Sequence, residues 1–92
     1  MKQVEPKFLV KHDDSTLLVY HAEIGDGLLK HSHIYSHLTL CHAGSIVVRK
    51  HGRELVMTKN TQPINLVANE WHEIEALENG TVFVNVFAEG KN

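Results

Sequence analysis

Three histidines fall within seven residues, His31, His33 and His37, and a fourth, His72, stands far downstream between Trp71 and Glu73. Neutral imidazole is the commonest nitrogen donor for first-row transition metals. Successive side chains of an extended strand alternate faces, so offsets of two and four predict three rings in a row on one side of a sheet. Without an ion, such a row would place several polar rings on a face that should be apolar, each needing a hydrogen-bond partner. Metal ligation removes that cost.

Other residues are read against this row. Tyr35 shares its parity, so a regular strand points the phenol inward, where it could hydrogen-bond a substrate or act as an acid; it is the candidate catalytic residue. Trp71 could wall the pocket or pack in the core. Cys41, the single cysteine, reads as a small buried residue. His12, His21, His42 and His51 have no place in the pattern and are expected at the surface. Leu38 and Leu40, outward on a regular strand, suggest that the second face of the sheet is covered by another subunit, so a homodimer is expected. No phosphate loop, sugar-stacking aromatic pair or arginine clamp is evident, and Arg49 and Arg53 flank a turn.

The elements that must position these residues are short. Phe8-Leu9-Val10 and Leu17-Leu18-Val19-Tyr20 are separated by a turn at His12 to Ser15, and Gly25-Asp26-Gly27 closes the second. Strands are predicted over Leu28 to His33 and His37 to Cys41. Ser45 to Arg49 and Glu54 to Met57 flank Lys50-His51-Gly52-Arg53, a hairpin turn in which Gly52 supplies a positive φ. Ile64 to Val67 follows, Asn69 turns the chain toward His72, and Thr81 to Phe87 is rich in β-branched and aromatic residues. Eight or nine strands at roughly eight- to twelve-residue spacing have the rhythm of a sandwich or barrel.

Bulk properties narrow the function. Ninety-two residues make one domain, 1–92, with a thin stability margin that bound metal or self-association would widen. A net charge of −2 gives no basic footprint for nucleic acid, and scattered Lys and Arg argue against a membrane surface. The polar opening Met1 to Pro6 lacks a signal peptide, and the lone cysteine suits a reducing compartment, so a cytoplasmic location is expected.

Gly25-x5-His31-x-His33-x3-His37-x6-Gly44 resembles the first motif of the cupin superfamily, Gly-x5-His-x-His-x(3,4)-Glu-x6-Gly, at every spacing. The one departure is His37 in place of Glu. Of the second motif, Gly-x5-Pro-x-Gly-x2-His-x3-Asn, only His72 survives. Thr61, Val67 and Ala76 replace Gly, Pro and Asn, and Asn69 stands at the turn glycine. Motif one spans 25–44 and the degenerate motif two 61–76. The resemblance implies a small antiparallel β-barrel of jelly-roll type, with His31, His33, His37 and His72 inheriting the metal positions. It is similar to small single-domain cupins that bind manganese, iron or nickel through four histidines; zinc or copper would also suit imidazole.

Four neutral ligands would leave a divalent ion its full charge, strengthening it as a Lewis acid and attracting anions. The leading expectation is a metal-dependent enzyme acting on a small molecule. Oxygen-dependent oxidation, an oxidoreductase activity, is favoured; isomerase or lyase chemistry on a carboxylate or sugar acid comes second. The alternative is a non-catalytic ligand-binding or metal-stabilised module. The substrate itself is not written in the sequence.

Overall fold

Short β-branched runs punctuated by Gly, Asn and Asp fold as strands joined by tight turns. The computed structural model describes residues 1–88, so the last residues of the expected 1–92 domain lie outside the described ones. Among the described residues ten strands form: β1 (Lys2–Gln3), β2 (Phe8–His12), β3 (Ser15–Ala22), β4 (Asp26–His31), β5 (His37–Ala43), β6 (Ser45–Lys50), β7 (Arg53–Thr58), β8 (Ile64–Leu66), β9 (His72–Ala76) and β10 (Thr81–Ala88). They pair as two five-stranded sheets, β1-β4-β9-β6-β7 and β2-β3-β10-β5-β8. All pairings are antiparallel except the two-residue contact of β1 with β4. This is the all-β jelly-roll architecture. No helix among the described residues is long and apolar enough to cross a membrane.

Turn chemistry sets the hairpins. His51 and Gly52 have φ of 50° and 70°, the left-handed pair that a two-residue turn needs to follow the twist of β6 and β7. Asn69 has φ of 67°, as its tolerance of this region suggests, and bends the chain into β9.

Between the sheets lies a core that includes Ile46, Val48, Met57, Leu66, Ile74, Ala76 and Phe83, all buried. The outer face of the second sheet is apolar as well. Cross-strand neighbours Phe8, Val19, Val84 and Leu40 make one row, and Val10, Leu17, Val86 and Leu38 the next. Leu38 is exposed there, pointing outward as its parity suggests. His12, His21, His42 and His51 are exposed too.

One irregularity matters for the site. In β4 against β9, Leu28 opposes Ile74 while His31 opposes His72, so three steps on one strand match two on the other. The extra residue is a β-bulge, which locally breaks alternation. Leu28 points into the core, Leu29 and Lys30 are exposed, and His31 turns back toward the barrel.

Candidate metal centre

The four histidines reach one place by different routes. His31 ends β4 and His72 begins β9, directly opposite it, in the first sheet. His37 begins β5 in the second sheet. His33 lies between them in the 32–36 loop rather than on a strand, which corrects the expectation of a strand over Leu28 to His33 and of three rings in one row. The loop carries the chain from one sheet to the other.

Ring packing is close. His31 and His33 centroids are 4.5 Å apart, His31 and His72 4.5 Å, and His33 and His72 5.2 Å. Ligand atoms of these three lie within 4.8 Å of one another. His37 lies outside that ligand-atom cluster, although its ring packs nearby, its centroid 5.0 Å from His33 and 5.5 Å from His72, with Phe87 against it at 4.7 Å.

Hydrogen bonds decide which nitrogen is available in three of the rings, His31, His37 and His72. A carbonyl only accepts, so a ring nitrogen bonded to one must carry the hydrogen. His72 Nδ1 donates to the Glu70 carbonyl at 3.1 Å, and His31 Nδ1 donates to that of Leu29. His37 Nδ1 lies 3.3 Å from both the Leu38 carbonyl and Thr39 Oγ1. In the neutral rings each Nε2 is therefore a bare lone pair. His37 Nε2 and His72 Nε2 are buried with no hydrogen-bond partner, a costly state for a polar atom. The Nε2 atoms of His31 and His33 face each other at 2.9 Å.

Electrostatics point the same way. His37 is lowered to about 4, chiefly by burial, against which its bond to Leu38 works. His72 is also lowered to about 4, by burial first and then by His31 and His37. Burial followed by His31 lowers His33. Rings kept neutral with lone pairs converging are the donor set that a divalent transition ion takes. The residues fit a metal ion, and carbonyl-anchored Nδ1 atoms are the outer-shell support such ligands use.

Beside the histidines opens a cavity of about 360 Å³. Leu18, Leu28 and Phe87 give it apolar walls, and Tyr20 and Asn85 polar ones, with Lys30 also lining it. Tyr35 does not line this cavity: it sits in the 32–36 loop with its side chain exposed, because strand parity does not extend through a loop. Trp71 is likewise exposed rather than in the barrel core. It edges a separate hollow on the outer face with Lys30, Lys50, Arg49 and Glu73. Arg49 there is engaged by Glu75 at 2.8 Å, Glu54 at 3.0 Å and Glu73 at 3.3 Å. Cys41 is buried, as a small core residue.

Residues that the sequence reading passed over are Tyr20, Thr39 and Asn85. Asn85 carried a legible signal: it is a polar residue at the inward parity of an otherwise apolar run, Thr81 to Phe87.

No protein-family model matches the sequence, and no curated protein does so significantly. Solved structures do match. KdgF from Halomonas sp. superposes with a TM-score of 0.81 at 16% identity, covering 92% of this chain and 78% of that one. A cupin superfamily protein from Desulfitobacterium hafniense gives 0.78 at 14%, over 95% and 78%. A cupin-2 domain protein from Shewanella frigidimarina gives 0.74 at 10%, over 92% and 80%. The chain has the fold of the cupins. Within that fold the chain carries a histidine cluster, His31, His33 and His72, whose ligand atoms lie close enough together to suit one metal ion.

Proposed function

We propose that this protein is a metal-dependent cupin that holds one divalent transition ion through Nε2 of His31, His33, His37 and His72 and presents a small molecule to it from the adjoining cavity. The observation that carries the reading is the pair of buried, partnerless Nε2 atoms on His37 and His72, beside the facing Nε2 atoms of His31 and His33. Manganese, iron or nickel is the proposed ion. When bound, it supplies Lewis acidity undiminished by any ligand charge and, if redox-active, electrons. The chain's own part is to hold the hydrogen of His31, His37 and His72 on Nδ1, to wall the cavity with Leu18, Leu28 and Phe87, and to orient the small molecule.

The proposed activity is enzymatic, with oxygen-dependent oxidation as the first reaction class. Isomerisation or elimination on a carboxylate is the second reading, favoured by Lys30 beside the cavity and a phenol within it. Metal-stripped protein titrated calorimetrically with manganese, iron(II) and nickel tests the site. One ion per chain is expected, with uptake lost in His72→Ala and sharply weakened in His37→Ala. Absence of binding by the intact chain would overturn the reading. Oxygen consumption against anaerobic turnover, over a panel of small carboxylates, then separates the two reaction classes.

A further inference from the structure

A directional chain of hydrogen bonds leads from the metal centre into the cavity. Thr39 Oγ1 donates to Asn85 Oδ1 at 2.7 Å, in a fully buried setting. With its one hydrogen spent, Thr39 can only accept from His37, whose Nδ1 lies 3.3 Å away. That keeps the hydrogen of His37 on Nδ1 and its Nε2 bare. Asn85 faces the Tyr20 phenol and lowers its pKa, the sign of an amide NH2 donating toward the phenolic oxygen. Tyr20 thus accepts from Asn85 and has its own hydrogen left to give. Its ring is stacked on Phe83 at 4.8 Å and 8°, which fixes the direction of the hydroxyl. Tyr20 and Asn85 both line the cavity that His31 and His33 also line.

We propose that Tyr20 is the ligand-contacting donor of this site, giving its phenolic hydrogen to an acceptor oxygen of a short carboxylate in the cavity, and that Asn85 and Thr39 are positioning residues that fix its direction. The inference rests on the metal reading above and deepens it. Three observations set the ligand class. The cavity is at the small end of ligand sites. Its walls combine four apolar side chains, Leu18, Leu28, Leu29 and Phe87, with the directed phenol of Tyr20, which suits a short carbon chain bearing an oxygen. Lys30 and a cation held by neutral donors favour an anion, while Glu5 near Tyr20 tempers that attraction. Burial foremost, then Glu5, raises the phenol above its ordinary value, so it stays a protonated donor at neutral pH.

Pyruvate is the probe, titrated calorimetrically into nickel-loaded protein. Tyr20→Phe keeps the ring and its stacking on Phe83, and it should weaken pyruvate binding about tenfold or more while leaving nickel affinity within about twofold. Thr39→Val, of the same shape, should weaken pyruvate about threefold to fivefold, and Thr39→Ser should restore it, which a packing role alone would not produce. Equal pyruvate affinity in wild type and Tyr20→Phe would overturn the proposal, as would nickel-loaded wild type that binds no pyruvate. Failure of the wild type to take up nickel would show in the metal titration itself and would remove the metal reading first.

Discussion

The Asn69 amide donates to the His33 carbonyl at 2.6 Å, so the loop that delivers His72 also holds the loop that carries His33. A second tie reinforces it: the Ala68 amide donates to Ser36 Oγ at 3.0 Å. Neither loop has a ladder of its own. His33, the one histidine of the four outside a strand, is positioned by a segment more than thirty residues away in sequence. The two distant motifs are thereby one mechanical unit, and the left-handed turn at Asn69 is the feature that aims the amide.

Substitution at Asn69 should therefore register at the metal centre. A β-branched residue resists a φ of 67°, so Asn69→Val is expected to destabilise the protein by roughly 1–2 kcal/mol and to weaken metal binding. Asn69→Gly keeps the same backbone amide and adopts that φ freely, so metal affinity should stay near wild type. Thermal melts and metal titration of the two variants check this. Equal metal affinity in both would mean that the turn does not aim His33.

His37 should show opposite effects with and without the ion. In metal-free protein its Nε2 is a buried atom with no partner, and an apolar side chain of similar size removes that penalty. His37→Leu is expected to leave metal-free stability unchanged or raise it by about 1 kcal/mol. In the presence of metal the same variant should lose most of the stabilisation that binding confers, which grows with the ratio of free ion to dissociation constant. Urea unfolding in chelator and in excess nickel gives both numbers. A fall in metal-free stability of several kcal/mol would show that His37 serves packing instead.

Much of this arrangement was legible in the residues. The motif spacings singled out His31, His33 and His72, whose ligand atoms the fold gathers within 4.8 Å of one another, and Lys50 to Arg53 and Asn69 declared their turns through residues that tolerate positive φ. The route was not legible. Alternation placed His31, His33 and Tyr35 on one strand face, but a bulge re-aims His31 and the chain leaves the sheet at residue 32. A bulge is set by the partner strand, which a linear pattern does not display. The same is true of Tyr20, Thr39 and Asn85, which come from three strands and meet only across β10. Two-residue β1 is too short for any period to register.

Gly27 should prove intolerant of any side chain. It sits opposite Glu75 in the β4–β9 ladder, where a Cβ would overlap the Ile74 carbonyl and backbone, which cannot swing aside. Gly27→Ala is expected to cost about 1–3 kcal/mol and to disturb the pairing that sets His31 opposite His72. Gly52, exposed and with open space around it, is the control: Gly52→Asn should leave metal affinity unchanged. Comparable metal affinity in Gly27→Ala and wild type would show that the ladder can shift without moving the histidines.

Metal-free stability should depend on pH through His37 and His72. Both are lowered to about 4 in the folded protein, His37 by burial against the opposing pull of Leu38, His72 by burial and then by its histidine neighbours. The unfolded chain titrates these rings near the usual 6.5. Between those values the unfolded state holds protons that the folded state refuses, so stability rises with pH across the window. The contribution is complete above about pH 6.5, falls as pH drops, and is gone below about 4. A shift of this size corresponds to about 3 kcal/mol per ring, and the two rings interact, so their joint effect is not a simple doubling. Against a total of roughly 5–15 kcal/mol for a domain, that is enough to unfold a small barrel near pH 4.5. Urea midpoints in chelator at several values between pH 7.5 and 4.5 measure it, and His37→Leu should flatten the curve. Bound metal should steepen it, because protons then compete for the same Nε2 atoms. A wild-type midpoint that stays level from pH 7 to 5 would mean that the rings accept protons without disturbing the fold.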